Sequence, residues 1–300
     1  MAFMKKHRRN RALTVMALPA FLTLFFFDYV VMGGLVLAFK NFDYRLGILK
    51  SPWNGLANFK YLIASKSTFF TITRNTLMYY LIFTVVGMIL EISLAIAMDQ
   101  LIFKRISKVM QSILIAPVFI SFTAVQFIVY AFLNPDMGLV NNIFNLSTRW
   151  YLEAKYWPLI LTVVKMWNGT GYGAVLYMSV LAGIDPELYE SSQIDGAGKW
   201  QQIWHITLPA LKSMATVMLL LSAGGILHSD TGLFYQVTRN SGSLYETTQV
   251  LDSYILNAVF HSSNYGFTAA ASFFQSVVGT ILILIANTFV RKTDPDNSLF

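Results

Sequence analysis

Long apolar stretches separated by shorter polar segments dominate this chain. Six of them, near residues 12–39, 72–98, 110–133, 157–182, 209–228 and 267–290, approach the roughly 20 residues needed to cross about 30 Å of hydrocarbon. The pattern predicts an all-α membrane protein. The fifth stretch is the weakest, because its unbroken apolar core runs only from Met214 to Leu227 and Gly224-Gly225 can open or bend it. The polar segment between the fourth and fifth stretches carries its own helix signals. Asp185 suits a helix N-cap, Pro186 the first helical position, and Glu187 the anion-favouring first turn. Gly196 is the residue there that enters a left-handed backbone most cheaply, so one short helix is expected to end near Ile194 or Asp195 and another to restart at Ala197. Trp200, Ile203 and Trp204, spaced by three and four, form an apolar ridge on the second helix before Pro209 opens the next span. Such a ridge needs burial, against its own bundle or against a partner.

Composition fits the pattern. The 300 residues are 55% hydrophobic and 12% charged, with a mean hydropathy of +0.54, too apolar for a soluble domain of this size. The net charge of +7 begins with Lys5, Lys6, Arg8, Arg9 and Arg11, directly ahead of the first stretch. That placement reports orientation, with the basic side inside, and not a nucleic-acid surface. The apolar run from Ala12 to Phe39 exceeds a signal-peptide core, so it reads as an uncleaved first span. Lys104, Arg105, Lys108, Lys199, Lys212, Arg291 and Lys292 then fall on the same side as the amino terminus, which makes both termini and the 185–209 loop cytoplasmic. The organisation expected is a basic amino terminus over 1–11, one transmembrane domain over 12–290 and a tail over 291–300. With no cysteine there is no disulfide framework or thiolate metal site.

Several motifs are excluded on spacing. Gly196-Ala197-Gly198-Lys199-Trp200 lacks the earlier glycine and the following Ser or Thr of a phosphate-binding loop, so this chain is not expected to hydrolyse ATP. His228-Ser229-Asp230 holds the residue types of a hydrolytic triad, but neighbours in sequence rarely converge. The run Asn168 to Gly173 lies inside a span, where close packing through Gly169 and Gly173 is the simpler account than an ion filter. Asp28, Glu91 and Lys165 are ionisable groups within spans; they mark function or pair within the bundle. Tyr79, Tyr80, Gln126, Tyr130, Trp167, Asn168 and Tyr172 supply the hydroxyls, amides and aromatic faces that a polar, uncharged substrate such as a sugar requires, although core packing uses the same residues.

The 185–209 segment resembles the coupling loop of permease subunits from ATP-driven, binding-protein-dependent importers. Glu190, Asp195, Gly196, Ala197, Ile206, Leu208 and Pro209 stand at that pattern's spacing. Ser191 and Ser192 replace two alanines, and Ile203 replaces a phenylalanine. The flanks, Trp167 to Gly169, Leu181 to Pro186, Gln236 to Asn240, Val250 to Tyr254 and Phe274 to Ser276, are similar to carbohydrate permeases of the oligosaccharide and polysaccharide-fragment branch. The resemblance implies a type I ABC importer permease fold in a bacterial plasma membrane. It also implies a second, homologous permease subunit, two ATPase subunits holding ATP and magnesium, and a lipid-anchored extracellular solute-binding protein. The coupling contacts would be made by Glu190, Ser191, Ser192, Asp195, Gly196, Ala197, Ile203, Leu208 and Pro209. The alternatives are an importer of the same architecture for another solute, which a binding assay with the outer protein decides, and a secondary transporter or membrane enzyme without an ATPase, which co-purification separates.

Overall fold

A computed structural model describes residues 2–64, 66–101, 104–262 and 264–293. The chain is helical; the one bridge between extended residues among those described joins Lys40 to Trp53. It divides into two compact units, residues 1–66 with 257–274, and residues 67–256 with 275–300.

In the first unit, helix α1 (Ala2–Leu24) runs on through a π-turn (Phe25–Val30) into a 3-10 turn (Gly33–Phe39). Its apolar stretch, Leu13–Phe39, is long enough to cross a membrane; it is exposed from Leu13 to Gly33 and half-buried to buried beyond, with Asp28 standing in the π-turn. Two short helices follow, α2 (Gly47–Lys50) and α3 (Ala57–Ala64). The Asn58 amide on α3 donates to the Leu37, Ala38 and Lys40 carbonyls at 3.3, 3.0 and 2.9 Å, satisfying the end of the 3-10 turn where no helical partner exists. Lys40 is buried, and its ammonium donates to the Ile48 and Leu49 carbonyls at 2.9 and 2.7 Å.

The second unit holds most of the membrane helices. Helix α4 (Lys66–Asp99) is 34 residues, about 50 Å at 1.5 Å per residue, and so passes beyond the hydrocarbon. Helix α5 (Lys104–Ile115) leads through a 3-10 turn (Ala116–Phe119) to α6 (Phe122–Leu133). The expected straight span at 110–133 is therefore broken: the two arms bend by 98°. Pro117 and the Ser121 N-cap, which accepts from the Ala124 amide, set the break. Helix α7 (Leu139–Phe144) lies in the following loop. Helix α8 (Trp157–Leu181) is the fourth stretch, 25 residues long, its hydropathy diluted by Lys165 and the run from Trp167 to Tyr172.

Helices α9 (Pro186–Ile194), α10 (Lys199–Gln202) and α11 (Leu208–Ala223) carry the polar segment and the fifth span; α12 (Tyr245–Thr248), α13 (Leu251–Asn257) and α14 (Tyr265–Thr293) complete the chain. Among the described residues four helices are long and apolar enough to cross a membrane, five if the bent pair is one span, against the six stretches expected. One core cluster centres on Trp157, Tyr79, Leu161, Val125 and Leu233, with the Trp157 indole donating to the Trp150 carbonyl at 2.7 Å. A second joins Ala95, Ala174, Tyr177, Leu181 and Leu211, tying α4, α8 and α11 together. Close approach on α8 falls at Gly171, where a methyl would meet the Leu114 carbonyl, and at Gly173, against the Glu91 carboxylate. Gly169, expected to take part, faces open space.

Candidate functional site

The 185–209 segment folds as a bent pair of helices. The Asp185 carboxylate accepts from the Glu187 amide at 3.0 Å and starts α9 at Pro186. The helix stops because Gly196 adopts φ +82°. Gly196 then donates to the Gln193 carbonyl at 3.0 Å and Ala197 to the Ser192 carbonyl at 2.9 Å, the paired bonds that close a helix ending in a left-handed residue. The restart comes at Lys199, two residues later than expected, because Gly198 is extended and its amide donates to the Gln201 side chain at 2.7 Å. From Lys199 one helix continues to Ala223 through a π-turn at Ile203–Thr207. Pro209 therefore sits within a continuous helix and does not open a new one. It has no N–H for the His205 carbonyl, and its ring would crowd that carbonyl; the wider turn just ahead relieves both.

A small polar network holds the elbow. Buried Gln202 donates its amide to the Tyr189 carbonyl at 3.2 Å and to the Ser192 hydroxyl at 2.9 Å. The Tyr189 and Thr207 hydroxyls lie 3.0 Å apart in a further bond. Ser192, which stands in place of an alanine of the coupling pattern, is thus the acceptor that joins the two helices. Glu190, Ser191, Asp195, Gly196 and Pro209 are exposed, while Ser192, Ala197, Ile203 and Leu208 are half-buried. Ile194, Trp200 and Trp204 are 87%, 75% and 64% exposed. These three large apolar side chains are therefore left uncovered by the chain's own fold.

Further along the same helix lies a cavity of about 290 Å³, lined by Tyr79, Tyr80, Lys165, Ser222, Asp230 and Phe234 among others. A neighbouring space of about 160 Å³ shares Thr84 and Ser222 with it and continues to Glu91 and Tyr177. Lys165 pairs with Asp230 at 3.3 Å, so one of the ionisable residues within the spans is matched inside the bundle. Asp230 also accepts from the Gly232 amide at 3.0 Å. His228 and the Ser229 amide turn instead to Asp252, which takes a further bond from Gln275 at 2.9 Å. His228 and the Ser229 amide thus share Asp252 while Asp230 pairs with Lys165, so the three neighbours that hold triad residue types do not serve one another and no triad forms.

The family comparison matches residues 84–295 to the binding-protein-dependent transport system inner membrane component. The chain belongs to that family. The permease is 30% identical over 307 residues to the polygalacturonan/rhamnogalacturonan transport system permease protein YteP of Bacillus subtilis, covering 96% of this chain and 93% of that one. It superposes with a TM-score of 0.86 and 29% identity on the crystal structure of a bacterial ABC transporter involved in import of the acidic polysaccharide alginate, covering 98% of this chain and 100% of the other. A second alginate transporter structure, in complex with an alginate pentasaccharide-bound periplasmic protein, gives 0.85 at 29% identity and 98% coverage of both chains. The permease is thus an integral membrane protein of the type I ABC importer class.

The residues expected along a pathway separate. Tyr79 and Tyr80 line the cavity, with the Tyr79 hydroxyl donating to the Thr247 carbonyl at 2.8 Å and Tyr80 bonded to Ser222 at 3.1 Å. Asn168 is buried and donates to the Pro117 carbonyl at 2.8 Å, which makes it the tie across the broken span. Trp167 edges an apolar groove of about 550 Å³ between α6 and α8, and Tyr172 is exposed outside the cavity. Gln126 and Tyr130 lie on α6, Tyr130 beneath Arg239. Burial pushes the phenol of Tyr151, which packs on Tyr130, up to about 12, against the pull of the Arg239 charge. Sequence reasoning missed Gln202, Tyr189 and Ser222, whose partners lie 10 to 142 residues away, and met Asp230 only as a triad residue type.

Proposed function

We propose that this permease forms one half of the translocation pathway of an ATP-driven importer for an oligosaccharide. The observation that carries it is the elbow: a bent helix pair, locked by its own hydrogen bonds, that leaves Ile194, Trp200 and Trp204 uncovered. Helices α10 and α11 are one body, about 37 Å long at 1.5 Å per residue. A push on Trp200 and Trp204 at its start reaches Ser222 at its far end, which lines the cavity and holds Tyr80. The docking residues thereby move a pathway residue without chemistry of their own. Glu190 and Asp195 offer polar contacts on the exposed face, and Ala197 allows close approach.

The sugar assignment is supported by relatives that serve polygalacturonan, rhamnogalacturonan and alginate. The cavity supplies the aromatic faces of Tyr79 and Phe234 and the hydroxyls of Tyr80, Thr84 and Ser222 that sugar rings require. A second, homologous permease completes the pathway, and two ATPase subunits bind ATP and magnesium. An extracellular, lipid-anchored binding protein delivers substrate, as the periplasmic protein in the related alginate complex suggests. The single permease domain sits in a bacterial plasma membrane with its amino terminus, carboxyl terminus and elbow on the cytoplasmic side.

The natural chain has no cysteine, so one introduced as Trp204→Cys is a unique label. Crosslinking in the assembled complex should join it to an ATPase subunit. Reaction of that cysteine with a water-soluble maleimide in every nucleotide state, with no crosslink, would show that the elbow docks nothing.

A further inference from the structure

Arg239 ends the π-turn Gly232–Val237 in a conformation its side chain disfavours. Its φ is +55° and that of Asn240 is +47°. The closing bonds run from the Arg239 amide to the Gln236 carbonyl and from the Asn240 amide to the Tyr235 carbonyl, each 2.9 Å. This is the position at which helices use glycine, and glycine would make both bonds without strain. Backbone strain that folding does not require points to function.

What arginine adds is a guanidinium, centred 4.3 Å over the Tyr130 ring, with Tyr151 packed edge-on against that ring at 5.7 Å. The cation–π contact holds the charge in place and leaves N–H donors for a ligand. Arg239 is exposed, and no carboxylate of the described residues lies within ion-pair distance of it. Thr123 and Gln126 precede Tyr130 on one face of α6, and the Thr123 hydroxyl donates to the Gln236 side chain at 2.8 Å. One cation, an aromatic face and uncharged hydroxyl and amide groups therefore meet at the opposite end of helix 199–223 from the elbow.

We propose that Arg239, backed by Tyr130, reads a carboxylate on the transported sugar and so selects uronate-bearing over neutral oligosaccharides; this rests on the sugar-import reading above. A uronate carries both the charge that Arg239 lacks a partner for and the ring hydroxyls that Gln126, Gln236 and Thr123 can meet. An acidic loop of a binding protein would call for further cations beside Arg239, and the neighbours named are neutral.

The test uses the complete importer complex in nanodiscs, titrated with trigalacturonate and with its neutral methyl ester. Wild type should bind the acid about tenfold tighter than the ester, the scale of one charged hydrogen-bonded contact. Arg239→Lys should keep part of that preference, and Arg239→Gly, whose backbone is relieved, should fold and show none. Equal affinity for the two ligands in wild type, no binding of the acid, or a preference that survives in Arg239→Gly would each overturn the proposal. So would a glycine variant that keeps the acid preference but no longer captures the sugar-free binding protein, because Arg239 would then be a protein-docking residue. Co-purification separates the two levels: a chain that arrives without an ATPase sinks the importer reading, whereas one that arrives with it and ignores charge sinks only this inference.

Discussion

Two helical turns in this permease close with the same pair of hydrogen bonds, one at Gly196 and one at Arg239, and they fill the left-handed position differently. At Gly196 φ is +82° and a methyl group would meet nothing within 4 Å, so the requirement is conformational alone. At Arg239 the same closure is made by a residue that must be forced into it. An L side chain costs roughly 1–2 kcal/mol in this region. Glycine at the elbow gives a tight, unstrained bend that leaves the exposed ridge free to dock. Arginine at the other end accepts strain in exchange for a charge fixed over Tyr130. The difference separates a residue chosen for its backbone from one chosen for its side chain.

The most damaging change to the comparison is Gly196→Pro. Proline holds φ near −65° and removes the N–H that bonds the Gln193 carbonyl, a loss of about 3 kcal/mol or more confined to the elbow. The protein should still reach the membrane while uptake and ATPase coupling vanish, measured as substrate accumulation against membrane content; normal transport would remove the docking role from this loop. Gly196→Asp should give the same outcome by another route, since Asp tolerates the left-handed region but sets a carboxylate where a partner must approach closely. Next is Gln202→Ala, which removes the buried amide joining α9 to α10 and leaves the Tyr189 carbonyl short of a donor, at about 1–3 kcal/mol. Uptake should fall several-fold and amide exchange over residues 186–197 should quicken; unchanged exchange would mean the closing bonds at Gly196 suffice. Gly196→Ala keeps the N–H and meets open space, so it should cost only the 1–2 kcal/mol of left-handed backbone, read as a small drop in the thermal midpoint.

The contrast between the two turns also marks how far the sequence could be read. The elbow was legible because each of its signals is local: Asp185, Pro186 and Gly196 act on neighbours within four residues. The restart comes at Lys199, two residues beyond the expected Ala197, because a glycine cap bonded by Gln201 carries no side-chain signal of its own. Hydropathy locates apolar stretches but is blind to direction, so the 98° bend between Phe119 and Phe122 reads as one span, although Pro117 stands just ahead of it. Asn168 could not be seen as the tie across that break, since its acceptor lies 51 residues away. Lys165 reads as costly within a span, yet its partner Asp230 is 65 residues distant and in the sequence belongs only to a triad that does not form. Arg239 enters only as one residue of the Gln236 to Asn240 resemblance, because its own meaning depends on a φ value and on a ring that belongs to another helix.

Arg239→Gly should have the smallest effect on the fold, and its size decides whether the two turns differ as described. Three contributions meet there. Release of the left-handed arginine returns roughly 1–2 kcal/mol, the extra freedom of glycine in the unfolded chain takes back about 0.5–1 kcal/mol, and loss of the Tyr130 contact removes a further 0.5–1 kcal/mol or so. The sum lies near zero, so the thermal midpoint of the detergent-solubilised permease should stay within the shift expected for about 0.5 kcal/mol. A loss well beyond 1 kcal/mol would mean that the guanidinium supports the α6 face as a structural wedge, and the strain at φ +55° would then be repaid by folding and not by a ligand. A clear gain would mean that the ring contact contributes little, which leaves the charge itself as the reason an arginine stands where glycine fits better.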